Sequence, residues 1–172
     1  MALFSGAYGT VWAQNQKPRE APMLRISEIA HRSGAYEQAV RLRDEVLRRP
    51  LGLGFTSQEL DDEAASHHVV AVEEDGDDAC VGCLVLLPVD AQVVRMRQVA
   101  VRPDRQRRGI GAALVAFAEQ AARARGYREI VAHVREPAIP FYARLGYEIS
   151  GSRFVEVTLP HFLMRKIIAA AS

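Results

Sequence analysis

Neither sign of charge dominates this chain: 22 lysines and arginines stand against 21 aspartates and glutamates, a formal charge of +1. Bulk positive charge is therefore lacking, which argues against a dedicated nucleic-acid binder and leaves only local basic patches for such contacts. No apolar run reaches the length of a membrane span. Cysteine is scarce: Cys80 and Cys83 are the only two, and no second pair exists to complete a zinc site. They fall inside an apolar segment. Three positions apart on a regular strand, they are expected to point to opposite faces as small core residues. Internal repeats and low-complexity linkers are missing too. What remains is ordinary globular material, 49% hydrophobic and 25% charged over 172 residues, which is the size of one domain.

The chain is organised around Val99 to Tyr127. An apolar strand, Val99-Ala100-Val101, runs through Arg102-Pro103 into a basic loop containing Gln106, Arg107, Arg108, Gly109, Ile110, Gly111 and Ala112. From there Ile110, Leu114, Phe117, Ala118 and Ala121 recur at helical spacing, and Gly126 ends the helix. Two glycines at a helix start clear Cβ atoms from the first free N–H groups, where the positive end of the helix dipole also lies. That is an anion-binding device, with phosphate its usual guest; an ordinary tight turn has the same glycines. A P-loop is excluded because Ala112 and Ala113 follow Gly111, and a dinucleotide fingerprint because Leu114 fills its third glycine position.

Around this stretch the expected order is regular. Met23 to Ile29 reads as a strand and Ala35 to Arg48 as a helix, with Ala39, Leu42, Val46 and Leu47 inward and Arg41, Arg43, Asp44 and Arg48 outward. Gln58 to Ala65 is expected to be an acidic, solvated connection. His67–Val72, Ala79–Leu87 and Val93–Val101 read as strands, with an acidic turn at Glu73 to Asp78. Ile130 to Val134, after the long helix, should pair in parallel with the third of these strands. Pro137 to Leu145 reads as a short helix, and Phe154–Thr158 and Phe162–Ile168 as closing strands. Residues 1–22 look unlike the rest and lack the basic start of a secretory signal, so the expected division is a mobile extension over 1–22 and one domain over 23–170, with Met23 a candidate start.

Two motifs carry a family resemblance. Gln106-x-x-Gly109-x-Gly111, preceded by Val-Ala-Val-x-Pro, resembles the acetyl-CoA loop of the GNAT N-acetyltransferase superfamily. Ala138-x-x-Phe141-Tyr142-x-x-x-Gly146-Tyr147 is similar to the superfamily's later segment, in the expected order and separation. The C-terminal Glu156-x-x-x-Pro160-His161-x-x-Met164 and the helix end from Arg43 to Gly52 resemble one bacterial branch. The resemblance implies an α/β GNAT fold, a mixed, mostly antiparallel sheet flanked by helices on both faces. It also implies acetyl transfer from acetyl-CoA to a primary amine by direct attack in a ternary complex, without a metal. Val99, Ala100 and Val101 would pair with the pantetheine, and Gln106 to Ala112 would hold the phosphates.

The chemistry needs an acid for the departing thiolate and a route for the amine proton. By resemblance Tyr142 is the acid: a phenol, of pKa about 10, suits a thiolate conjugate to a thiol of about 8.5. His133 and His161 are the candidate bases, with His161 favoured for the acceptor side and Glu156 near enough in sequence to orient it. Arg135 replaces an asparagine common in relatives, and its options are a CoA phosphate, an acidic substrate or solvent. The expected partner is a small-molecule or peptide amine, with no nucleic acid and no membrane, for a monomer or homodimer. With no secretion signal, reduced thiols suit the cytoplasm. Two alternatives stay open: a CoA-binding sensor without turnover, and a nucleic-acid binder using Arg102, Arg105, Arg107 and Arg108.

Overall fold

A computed structural model describes residues 23–74 and 79–168, built on an eight-stranded sheet. Strands β1 (Met23–Ile29), β2 (His67–Glu74), β3 (Ala79–Pro88) and β4 (Val93–Val101) each run antiparallel to the next. β5 (Glu129–Arg135) then lies parallel to β4, and β8 (Leu159–Ile167) pairs antiparallel with β5. β8 also carries β6 (Glu148–Ile149) and β7 (Phe154–Glu156). The sheet is thus mixed and mostly antiparallel, as expected; the two-residue β6 is too short to show in a periodicity. The expected extension over 1–22 and most of the expected acidic turn lie outside the described residues.

The parallel β4–β5 pair needs a crossover, and α3 (Ile110–Ala124) provides it. Gly109 before it and Gly126 after it are both left-handed, with φ of 82° and 87°, conformations glycine adopts without a Cβ penalty. The helix buries Ile110, Leu114, Val115, Ala118 and Ala122 against one sheet face. Relative to the expected stripe, Phe117 and Ala121 move to the margin, because the stripe is centred one position further round. Burying a side chain such as Leu114 contributes about 1.5–3 kcal/mol. Gly82 on β3 allows the close approach: a Cβ there would lie 2.8 Å from Leu114 Cδ1.

The opposite face is covered by α1 (Gly34–Arg43), capped by Ser33, whose hydroxyl accepts from the Tyr36 N–H. Ala39 and Leu42 pack on Val70, Val72, Cys83 and Ala100. The chain continues through a π turn, Asp44–Arg48, so the expected helix to Arg48 is present with its last turn loosened. α2 (Ser57–Asp61) follows, and α4 (Ile139–Arg144) precedes Gly146.

Four details differ from the sequence reading. Arg43 points inward and is 1% exposed, because it meets Glu63, itself buried rather than solvated. Cys80 and Cys83 share the α1-facing cluster instead of facing apart. The register skip at Ala71/Val72 inserts Val81 as a bulge residue, which shifts the alternation by one. Cys80 Sγ donates to the Gly82 carbonyl and Cys83 Sγ to the Ala39 carbonyl, and the mutual influence of the neighbouring thiols holds Cys80 below the ordinary thiol range and, with burial, Cys83 above it. The strand expected over 154–158 stops at Glu156, because Val157 and Thr158, with φ of 47° and 64°, form the tight turn into β8.

Candidate active site

Everything at the site follows from where β4 leaves β5. Their pairing runs only from Val93 to Met96. At Gln98 the backbone turns left-handed, with φ of 54°, and the register against β3 skips. Beyond this bulge, Ala100 and Val101 still pair with Cys83 and Gly82 on β3, while their other edge has left β5. The edge of β4 from Val99 to Val101 that faces away from β3 is thereby left without a strand partner.

A buried ion pair holds the bulge. Arg43 forks onto Glu63 at 2.7 and 2.9 Å, and its Nη1 also donates to Gln98 Oε1. Tyr36 donates its hydroxyl to Glu63 at 2.9 Å. Burial pulls the Glu63 carboxyl up, but Arg43 outweighs it and holds the group below the ordinary carboxylate range. Burial, with Glu63 adding to it, pushes the Tyr36 phenol up to about 12.

Between the open edge and the start of α3 lies a cleft of about 590 Å³. Val99, Ala100, Val101, Gln106, Arg107, Gly109, Ile110, Gly111 and Ala112 line it; Arg108 is exposed and does not. Gln106 Nε2 donates to the Val101 carbonyl at 3.1 Å, tying the loop to the strand. Arg105 is engaged by Glu73 at 2.7 Å, and Arg102 and Arg105 both pair with Asp104. The basic loop is therefore partly neutralised at Arg102 and Arg105. At Gly111 a Cβ would lie 3.4 Å from Phe141 Cζ, so a larger side chain would fill the floor of the cleft. Free first-turn amides of a fifteen-residue helix suit phosphate, and the open strand edge suits an extended amide chain. These residues fit CoA.

A second cleft, of about 270 Å³, opens on the other side of Tyr142. The two clefts share Val99, Ala138 and Tyr142. Tyr142 is 8% exposed, edge-on to Phe141 and Tyr147, and burial pushes its phenol above the ordinary value. It is therefore protonated throughout the neutral range.

His133 and His161 both line the second cleft. Glu156 bonds His133 Nδ1 at 3.1 Å, not His161, whose Nδ1 donates to the Leu159 carbonyl at 2.9 Å. The hairpin register explains the difference: Phe154, not Glu156, lies opposite His161. Phe154 packs edge-on to His133 and stacks on His161, a connecting residue the sequence reading missed. It also missed Arg95 and Arg97, which line the same cleft from β4. Their spacing of two on a buried strand was the available signal. Arg135 lines it as well and donates to the Leu47 carbonyl at 3.1 Å. Among the described residues, no group of three or more His, Cys, Asp or Glu is placed to hold a metal. No described helix is long and apolar enough to cross a membrane.

A splayed parallel strand pair, a glycine-led helix start and a phenol where two clefts meet define a CoA-type acyl-transfer domain. Residues 32–147 match the acetyltransferase (GNAT) family, and the chain belongs to that family. Its members are acyltransferases that draw on acetyl-CoA. The chain is 36% identical over 81 residues to "Probable N-acetyltransferase 14" of Xenopus tropicalis, a match covering 45% of this chain and 39% of that protein. It spans about half or less of the length of the curated relatives it matches. In fold it resembles an acyl-CoA N-acyltransferase from Pseudomonas aeruginosa, with a TM-score of 0.70 and 22% identity over 84% of this chain and 99% of that one. It also resembles an aminoglycoside 6'-N-acetyltransferase complexed with coenzyme A, with a TM-score of 0.72 and 21% identity over 86% and 99% of the two chains.

Proposed function

We propose that the protein is an N-acetyltransferase that moves an acetyl group from acetyl-CoA to a primary amine by direct attack in a ternary complex. The observation that carries this reading is the meeting of the two clefts at Tyr142. Acetyl-CoA supplies the acyl group as a thioester. Gly109 to Ala112 bind its phosphates through backbone amides, and Val99 to Val101 bind its amide arm and present an N–H toward the carbonyl. Tyr142 gives its proton to the departing sulfur. His133 takes the amine proton: with Glu156 holding Nδ1–H, its Nε2 is left as the acceptor and the charged imidazole has a counterion. That reverses the preference drawn from sequence, since His161 has only a neutral carbonyl partner and is 5% exposed. Clustering of these three groups at one junction favours turnover over a sensor role. The working domain is residues 23–170. We place it in the cytoplasm, in keeping with two free cysteines.

Calorimetric titration with acetyl-CoA tests the donor side. The wild type should bind, and Gly111→Val should bind much more weakly, because the branched side chain meets Phe141 and Val101. Equal affinity in a folded variant removes the loop from the site.

A further inference from the structure

The acceptor cleft holds far more positive than negative charge. Arg48, Arg95, Arg97 and Arg135 line it, against the single carboxylate of Glu156, which is engaged by His133. Two of the four arginines have partners: Arg48 pairs with Glu59 at 3.1 Å and Arg135 donates to the Leu47 carbonyl. Arg95 and Arg97 differ. Among the described residues neither forms an ion pair, and Arg95 Nε is buried with no hydrogen-bond partner. Glu63 and Glu156 act on Arg97 only from a distance.

Holding such a cluster together costs free energy. Burial and then the neighbouring Arg95 hold the Arg97 guanidinium below its ordinary value, and burial and then Arg48 do the same to Arg135. Arg95 and Arg97 are half-buried rather than fully buried, yet a partly desolvated cation without a counter-charge is still unfavourable, and an anion in the cleft would supply that charge. The phosphates of CoA are assigned to the other cleft, beyond Tyr142, and do not meet this need. A guanidinium fork matches a carboxylate or a phosphate in two parallel hydrogen bonds. Arg95 and Arg97 stand two apart on one face of β4, immediately before the bulge that opens the site. A volume of about 270 Å³ suits a small molecule rather than a folded partner.

We infer that the acceptor is a small amine carrying an anionic group, a carboxylate or a phosphate, which Arg95 and Arg97 bind while the amine faces Tyr142. This rests on the acetyltransferase reading above and names its substrate class. In the transfer the acetyl carbon forms a bond to the amine nitrogen and gives up its bond to sulfur. One amine proton goes to His133, and the sulfur takes the Tyr142 proton. Polycationic amines are disfavoured by like charge, whatever the fold shares with an aminoglycoside-acetylating enzyme.

The test uses the full chain, saturating acetyl-CoA and four primary amines of similar size: β-alanine, O-phosphoethanolamine, ethanolamine and putrescine. Thiol release gives kcat/KM for each. At least one anionic amine should exceed ethanolamine by roughly tenfold or more, with putrescine lowest. β-Alanine leading marks a carboxylate acceptor, and O-phosphoethanolamine leading marks a phosphate. Arg97→Gln and, separately, Arg95→Gln should bring the anionic-to-neutral ratio toward one while calorimetric acetyl-CoA affinity is retained. Two folded variants that keep the ratio, putrescine or ethanolamine leading, or a flat response in a protein that binds acetyl-CoA all overturn the inference. Failure to bind acetyl-CoA overturns the acetyltransferase reading itself.

Discussion

Tyr142 is the residue whose loss should separate chemistry from binding most cleanly. Its ring sits between Phe141 and Tyr147 and belongs to the main core, so Tyr142→Phe keeps the packing and removes only the hydroxyl. Turnover should fall by roughly 10²-fold or more, with acetyl-CoA affinity little changed, as single-turnover and calorimetric measurements will show. The two histidines are separated by pH. With His133 as the base, kcat/KM should climb with pH to a plateau, and His133→Ala should erase that limb. His161→Ala should retain it. A limb that survives in both variants assigns the amine proton to solvent. Tyr142 and His161 stood out as candidates through motifs and His133 through its place in a strand, but the pairing of Glu156 with His133 was not legible. It depends on the β7–β8 register, and Val157-Thr158 carries none of the Asn-Gly or Asp-Gly chemistry that announces a two-residue turn.

At the scale of elements, the bulge in β4 matters most, and α1 with the connection that carries Glu63 holds it through the Arg43–Glu63–Gln98 contacts. Removing one partner of the Arg43–Glu63 pair leaves a buried charge unpaired, so Glu63→Gln should cost about 3–5 kcal/mol, read from denaturant unfolding. The pair also sets an acid limit. Because the folded Glu63 carboxyl is held below its unfolded value, its stabilisation is complete above the ordinary carboxylate range and is lost as pH falls through the folded value. His68 adds an earlier limb. Burial holds its imidazole below the ordinary value of about 6.5, so stability begins to drop as pH falls past that point. Melting temperature should therefore decline in two stages on acidification, and Glu63→Gln should flatten the lower one. The α1 stripe at Ala39 and Leu42 was readable from periodicity. Arg43 was not, because an arginine at a helix end is outward by default and turns inward here only for a carboxylate twenty residues away.

At the scale of the molecule, the described sheet begins at Met23, where the proposed domain starts. A chain starting at Met23 should melt within a few degrees of the full-length protein and bind acetyl-CoA with the same affinity. A large loss in either measurement would extend the domain into the N-terminal segment. The splay between β4 and β5 makes two clefts from one sheet, one bordered by strand edge and helix start and the other by charged side chains.

That division explains which parts of the protein could be read from residues alone. The lining of the cleft proposed for the donor could be picked out in sequence because it depends on local backbone features: glycines at 109 and 111, a helix of regular spacing, and a strand followed by Pro103. The family motifs and the mixed sheet follow from the same local patterns. The cleft proposed for the acceptor depends on residues brought together from β4, β5, β7, β8 and the π turn after α1, where spacing in sequence carries no information about distance. Only the tertiary structure put Arg95 and Arg97 in the same cleft as His133 and Tyr142. It also turned Cys80 to the side of Cys83, because one bulge residue reverses the alternation on which any strand reading rests.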